Sequence, residues 1–443
     1  MEKYKEQNLF VKINKLAAPI ILSYLSSYMF VIVDEAILGR TSLDGYASIS
    51  MIIRLLYYIT GTLGAICIAV NILGSQCIAK KDDKSYEKII NTSLTVGLII
   101  GIVVEFIFIF WGKYILNAWF FLDKTTLKNA YIFLIIVGPT VGLTIFLFIF
   151  SSYFKSIEKT KVLMYASILA NVINLFFDYV FVFGVFGFPC LGVIGVAVGT
   201  FIGVVVHCLI YLVFYKKYSS FRICLCFDKK KMAEIAELYF PLLGQGLIEE
   251  TGFLLIVIAI ISRIGIIQIG AYNLSMTITD IITLPVFAYC SISTTLIAKA
   301  KISEDYGSIG KILYISIIST IILFIIAAAA LLMYPRFFCR LITNSTKLVD
   351  FTSEIILMVV ILHFTSVFKQ TFMSSLNAVN KHKWVLIYLT LVSILSLFCI
   401  YYFVEYKMNG LITVLFILIL TNLILALGYF LKILFYCRCK IKL

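Results

Sequence analysis

Charge is what this sequence has least of. Only 14% of its 443 residues are Asp, Glu, Lys or Arg, while 62% are apolar, and the mean hydropathy is +1.05. Soluble domains run near a quarter charged and about half apolar. A soluble chain of this composition lacks the polar groups to cover its surface, so lipid is the main solvent. That excludes a soluble enzyme, a nucleic-acid binder and a secreted disulfide scaffold. Acid is scarcer than base, 23 against 37 residues, and the resulting net charge of +14 reads as membrane topology.

Other absences narrow the field. No G-x-x-x-x-G-K-[ST] phosphate loop occurs, and Gly310-Lys311 lacks its other elements, so ATP does not drive this chain by itself. None of the three histidines begins an H-E-x-x-H, which argues against a membrane metalloprotease. No small-residue cleavage site follows the lysine-rich start at signal-peptide distance, so the first span is expected to be retained. Eleven cysteines is an odd number. Cys67, Cys208, Cys290 and Cys399 sit inside apolar runs, and the pairs Cys224/Cys226 and Cys437/Cys439 lie in basic segments where thiols stay reduced. No cofactor is expected.

What is present is length of apolar run. A spanning helix needs about 20 mostly apolar residues. That ruler gives twelve segments, near 15–38, 47–74, 90–112, 130–154, 162–186 and 191–215, then 239–262, 268–298, 311–334, 352–378, 384–404 and 410–436. The expected fold is an all-α integral membrane protein of twelve transmembrane helices, with an N-lobe over 1–215, a basic linker over 216–237 and a C-lobe over 238–443. The N-terminus, even-numbered loops and C-terminus hold 25 Lys and Arg, and the odd-numbered loops hold 9. That bias puts both termini in the cytoplasm.

The halves resemble each other. Leu16-Ala-Ala-Pro19 matches Leu238-Tyr-Phe-Pro241, and Gly45-Tyr-Ala-Ser-Ile-Ser-Met51 matches Gly270-Ala-Tyr-Asn-Leu-Ser-Met276. Ser151-Ser152 with Val162-Leu-Met-Tyr165 recurs as Ser374-Ser375 with Val385-Leu-Ile-Tyr388. Six spans per repeat is even, so the repeats insert the same way up, and a duplication of this kind is the plan that alternating access uses.

Ionisable groups inside spans are costly and mark function. Asp34 shares a helical stripe with Ser23 and Ser27, and Glu35 lies beside it. Asn171, Asn174 and Asp178 share one face of the fifth span. Carboxylate and amide oxygens together suit a hard cation such as sodium, or a carboxylate in low dielectric holds a proton; a hydrogen-bonded network between helices is the plainer alternative. The second half carries Gln245, Glu249 and Glu250 in span seven, and His363, Ser366, Gln370, Ser374 and Asn377 along span ten. Serines on such a stripe are commonly packing residues, and a lone His363 is more often an interior hydrogen-bonded histidine than a proton relay. Lys369, off the stripe, is placed to neutralise a carboxylate. Asp34 and Asp178 lack the Tyr-Asp and Gly-x-Gly-Asp contexts of intramembrane aspartyl proteases.

Pro19, Asp34, Gly39, the run Asn171-Val-Ile-Asn-Leu-Phe-Phe-Asp178-Tyr-Val-Phe, Gly192-x-x-Gly195-x-Ala197-x-x-Thr200, Pro241 with Glu249, and Gly265 followed by Ala271-Tyr272 resemble the multidrug and toxic compound extrusion (MATE) family. The resemblance implies two six-helix lobes in a bacterial plasma membrane and a monomer exporting small cationic or amphiphilic substrates, driven by inward proton or sodium flow. It assigns Asp34, Asn174 and Asp178 to a cation site, which would be the sodium ligands in a sodium-coupled member, with Asn171 and Thr200 beside them. Glu249 matches an acidic residue of one branch, and Gln245, His363 and Gln370 are further second-lobe candidates. The span-ten carboxylate of that branch falls here near Ser366 and is missing. The strongest rival is a flippase for lipid-linked oligosaccharide or peptidoglycan precursors, of the same superfold. It would want a cationic cleft, whereas only Arg54, Lys369 and Lys432 lie in spans. A membrane-embedded enzyme and a passive channel fit less well.

Overall fold

A computed structural model describes residues 2–38, 52–53, 56, 59–120, 124–219, 221–407 and 410–441. Gly39, the Gly45–Met51 segment and Arg54 therefore lie outside the described residues, as do the side chains of Glu35 and Glu250.

The described chain is helical almost throughout, as a backbone without water to bond must be. The helices of the first half are α1 (Glu2–Leu38), α2 (Ala65–Ala79), α3 (Asp83–Phe120), α4 (Lys124–Val137), α5 (Pro139–Ser156), α6 (Lys161–Phe183) and α7 (Val193–Tyr218). The second half opens with α8 (Lys229–Gly246), a π-helical stretch Leu247–Phe253 and α9 (Leu254–Ile264). It continues with α10 (Ile266–Ile302), α11 (Tyr306–Met333), α12 (Pro335–Arg340), α13 (Thr346–Ala378), α14 (His382–Glu405) and α15 (Leu411–Ile441). Gly265 joins α9 to α10 with φ of 153°, a conformation that side-chain-bearing residues rarely adopt.

Among the described residues, 11 helices are long and apolar enough to cross a membrane. The segment read as the seventh span is the remaining one. There α8 and α9 are separated by π-helical residues 247–253, the stretch that carries Glu249. Pro139 starts α5 directly after α4; it has no N–H to give the ladder, but Gly138 keeps helical angles and the fourth span runs on through it. Lys155, grouped by sequence with the loop after that span, lies instead in the last turn of α5, which extends to Ser156. It is buried there, its Nζ 3.9 Å from the Cys67 Sγ.

Two compact units form, residues 22–239 and residues 1–21 with 240–443. The first is centred on Phe108, Leu116, Phe133, Leu134 and Val141, joined by Val182 and Val196. The second holds two apolar clusters, one around Ile261, Tyr272, Val359 and Leu415, the other around Ile282, Phe324, Ile356 and Val367. The start of α1 belongs with α10 in that unit, where Tyr289 donates its hydroxyl to Asn14 Oδ1 at 2.5 Å. Large apolar side chains such as Phe110, Val213 and Phe398 stay exposed, as lipid-facing positions do.

Candidate functional site

In the unit spanning 22–239, α1 and α6 meet along their polar stripes. Ser167 donates to the Ser23 carbonyl at 3.2 Å and lies 3.4 Å from Ser27 Oγ. One turn further, Asn171 Nδ2 donates to Ser26 Oγ at 2.9 Å. At the far end Asp34 is the charged and hydrogen-bonding neighbour of Asp178. The pairing keeps step along both helices, because Ser23 to Asp34 spans the same number of residues as Ser167 to Asp178.

Asn174 joins the pair from within α6, donating Nδ2 to Asp178 Oδ2 at 2.7 Å, the short distance of a charge-assisted bond. Asp178 is 0% exposed and Asn174 6%. Their burial comes from α7. Gly195, Gly199 and Gly203 recur every fourth residue and turn a side-chain-free stripe toward α6. A Cβ at Gly199 would collide with the Asp178 carboxylate, and one at Gly203 would stand 2.5 Å from Asn174 Cβ. Thr200 follows on α7, half-buried beside this stripe. The structure thus brings Asp34, Asn174 and Asp178 together, places Asn171 two turns away on Ser26, and sets Thr200 next to Gly199. The glycine stripe was missed as a packing device, although its four-residue spacing is visible in the sequence.

The second-half candidates divide into three places. Glu249, on the π-helical stretch, receives Lys369 Nζ at 2.5 Å and Gln370 Nε2 at 2.8 Å on the same Oε1. Gln245 lies elsewhere, in a reciprocal amide pair with Asn377 at 2.9 and 3.3 Å, and also donates to the His382 carbonyl. His363 Nε2 is 2.9 Å from Thr279 Oγ1. Ser366 and Ser374 bond carbonyls of their own helix, which is the packing behaviour of serines in bundles. The span-ten stripe is therefore not one site. Further ionisable residues within spans were passed over in the sequence: Glu105 on α3, His207 on α7, Asp280 on α10 and Glu354 on α13.

Known proteins resemble this chain in sequence and in fold. The MatE family model matches residues 19–180 and again 241–402, two segments set 222 residues apart at both ends. An uncharacterized transporter, YisQ of Bacillus subtilis (strain 168), is 25% identical over half of each chain, so the chain spans about half the length of that relative. A probable multidrug resistance protein NorM of Thermotoga maritima is 21% identical over 76% of this chain and 73% of its own. The fold matches a solved multidrug resistance MATE family transporter of the MOP superfamily in an outward-facing conformation, with TM-score 0.87 and 15% identity over 98% of this chain and 97% of that one. With the family matched over most of its length and once in each repeat, the chain belongs to the MatE family, the multidrug and toxic compound extrusion transporters.

Proposed function

We propose that this protein exports small organic cations and amphiphiles across a bacterial plasma membrane, with both termini in the cytoplasm and the two repeats alternating access. Inward flow of protons or sodium at Asp34, Asn174 and Asp178 drives the export. The observation that carries this reading is the pairing of the Asp34 and Asp178 carboxyls, with Asp178 fully buried and the Asn174 amide donating to it. Two carboxylates held together away from water repel one another, and one proton or one sodium ion relieves that repulsion. Carboxylate and amide oxygens are the donor set of a hard cation.

Coupling follows from competition. The arriving cation draws α1 and α6 together at Asp34 and Asp178, and bound substrate disfavours that arrangement. Cation and substrate then lower each other's affinity, a negative coupling that is reciprocal by linkage. Ethidium efflux from cells expressing the wild type or Asp34→Asn/Asp178→Asn, with sodium and proton gradients collapsed separately, tests this. Efflux that depends on one gradient and is lost in the variant is the expected result. Efflux unchanged in the variant overturns the assignment. No efflux from well-expressed wild type turns the reading toward a lipid-precursor flippase.

A further inference from the structure

A cavity of about 580 Å³ opens in the 22–239 unit between α3, α5 and α7, lined by none of the residues assigned above. Leu98, Ile102, Phe106 and Ile109 of α3 line it with Phe146 of α5 and Val205 of α7. The four α3 residues are exposed large hydrophobics on a membrane-length helix, so the cavity faces lipid. Its floor is backbone. Gly101 and Gly142 cross so closely that a Cβ at 101 would stand 2.6 Å from the Cα of 142.

One lining residue does not belong in such a place. Glu105 lies in the middle of this apolar wall, and among the described residues no basic side chain lines the cavity with it. Its Oε2 is buried without a hydrogen-bond partner. The oxygen sits in room that exists only because residue 138 is glycine, since a Cβ there would collide with it. Pro139, next in sequence and also on the wall, starts α5 and withholds one backbone donor at that point. A carboxylate in apolar surroundings is tolerated where a cation meets it, and an acidic residue inside a span marks a functional site by default. Apolar walls with one fixed charge are also the usual make-up of a small-molecule pocket.

We propose that the α3–α5–α7 groove is a membrane-facing receiving site for lipophilic organic cations, with Glu105 as the counter-ion that holds them. The site would gather amphiphilic cations from the bilayer, where such compounds concentrate. The proposal rests on the reading of this chain as an organic-cation exporter and adds an entry point separate from Asp34 and Asp178.

A photoactivatable tetraphenylphosphonium derivative, reacted with the full chain in lipid nanodiscs and mapped by peptide mass spectrometry, tests the site. Labelling is expected at residues 94–109 and 139–146, competed by excess tetraphenylphosphonium and reduced at least tenfold by Glu105→Gln. Ile102→Trp, which fills the groove without touching the carboxylate, is expected to reduce it similarly and guards against misfolding of the first variant. Labelling that is unchanged by both variants overturns the proposal. So does labelling displaced by phosphatidylethanolamine and not by tetraphenylphosphonium, which would mark a lipid site. Asp34→Asn/Asp178→Asn is expected to keep the labelling while losing efflux. Groove labelling in a wild type that shows no efflux would sink the exporter reading and leave the groove standing.

Discussion

Lys369 places its ammonium 2.5 Å from Glu249 Oε1, and both side chains are largely buried, at 10% and 17% exposure. The corresponding positions of the other repeat hold no such pair. At the 222-residue offset Glu249 corresponds to Ser27 and Lys369 to Leu147, while Asp34 and Asp178 correspond to Ile256 and Ile400. One repeat therefore holds two carboxyls against each other, and the other holds a carboxylate against a tethered cation. The duplication conserved the fold and left the charge chemistry unequal.

That pair makes a stability prediction. Removing one member of a buried ion pair strands the other charge, at a cost of roughly 3–5 kcal/mol, whereas replacing both with apolar groups is near neutral. Lys369→Met is expected to lower the melting temperature of the purified protein clearly, and Glu249→Leu/Lys369→Met to recover most of the loss. A double variant melting as low as the single one would show that Glu249 is held chiefly by Gln370.

Gly199 gives a sharper structural prediction. Its missing side chain is the space that the Asp178 carboxylate occupies. Gly199→Ala is expected to push that carboxylate from Asp34 and cut ethidium efflux at least tenfold. Gly310→Ala, where a new Cβ meets nothing within 4 Å, serves as the control and should leave efflux unchanged.

Most of the fold was legible because its signal is coarse. Long apolar runs and a lysine bias need no tertiary detail, and the duplication announced itself at Pro19 and Pro241. The Asp34 and Asp178 stripes were legible for a related reason, since helical periodicity fixes which side chains share a face. What periodicity cannot say is which face meets which. The stripe of span ten looked continuous, yet its members divide among Thr279, Glu249 and Gln245 because two spans, the seventh and the eighth, pass along it. Glu105 was overlooked although an acid inside a span is itself a signal; what the sequence could not give is its neighbourhood, since Gly138 is brought against it only by the fold. Lys155 looked like loop charge because its burial depends on Cys67, far away in sequence.

The segment between the repeats is strapped to α3. Asn91 grips it from both sides, donating Nδ2 to the Arg222 carbonyl at 2.9 Å and accepting from the Cys224 amide at 3.2 Å. The Asp228 amide adds a bond to Thr92 Oγ1, and the Arg222 amide one to Glu87. Asn91→Ala is expected to speed tryptic cleavage after Arg222 several-fold, with little change in melting temperature. Cleavage at the wild-type rate would show that the remaining bonds suffice.

The same strap carries a pH dependence. The Lys88 side chain, 3.0 Å from Asp228, and then the Lys231 amide hold the Asp228 carboxyl below the usual carboxylate range. A carboxyl lowered in the folded state stabilises that state above its ordinary value, about 3.9, and the stabilisation is lost as pH falls through the folded value. Amide exchange over residues 221–228, corrected for intrinsic rates, is therefore expected to stay flat from pH 8 to 5 and rise below about pH 4. Lys88→Met should shrink that step, and a step of unchanged size in the variant would assign it to another group.

Asn174 decides whether the buried pair works as a cation site or as a structural knot. Its amide is the donor that Asp178 Oδ2 receives, at 2.7 Å. A hydrogen bond to a charged group is worth about 1.5–3 kcal/mol, or roughly one to two decades in an equilibrium. In a cation site Asn174→Ala should shift the half-maximal concentration of the driving ion while efflux at saturation survives. For a proton it falls by up to about that factor, because the lost donor favours the ionised carboxylate, and for sodium it rises, because the amide oxygen is lost as a ligand. In a knot the same variant should lower the melting temperature and reduce efflux equally at every ion concentration. Asp178→Asn separates the two again, since it keeps the shape and removes the charge. Efflux lost in a variant that melts like wild type would place the chemistry on the carboxylate itself.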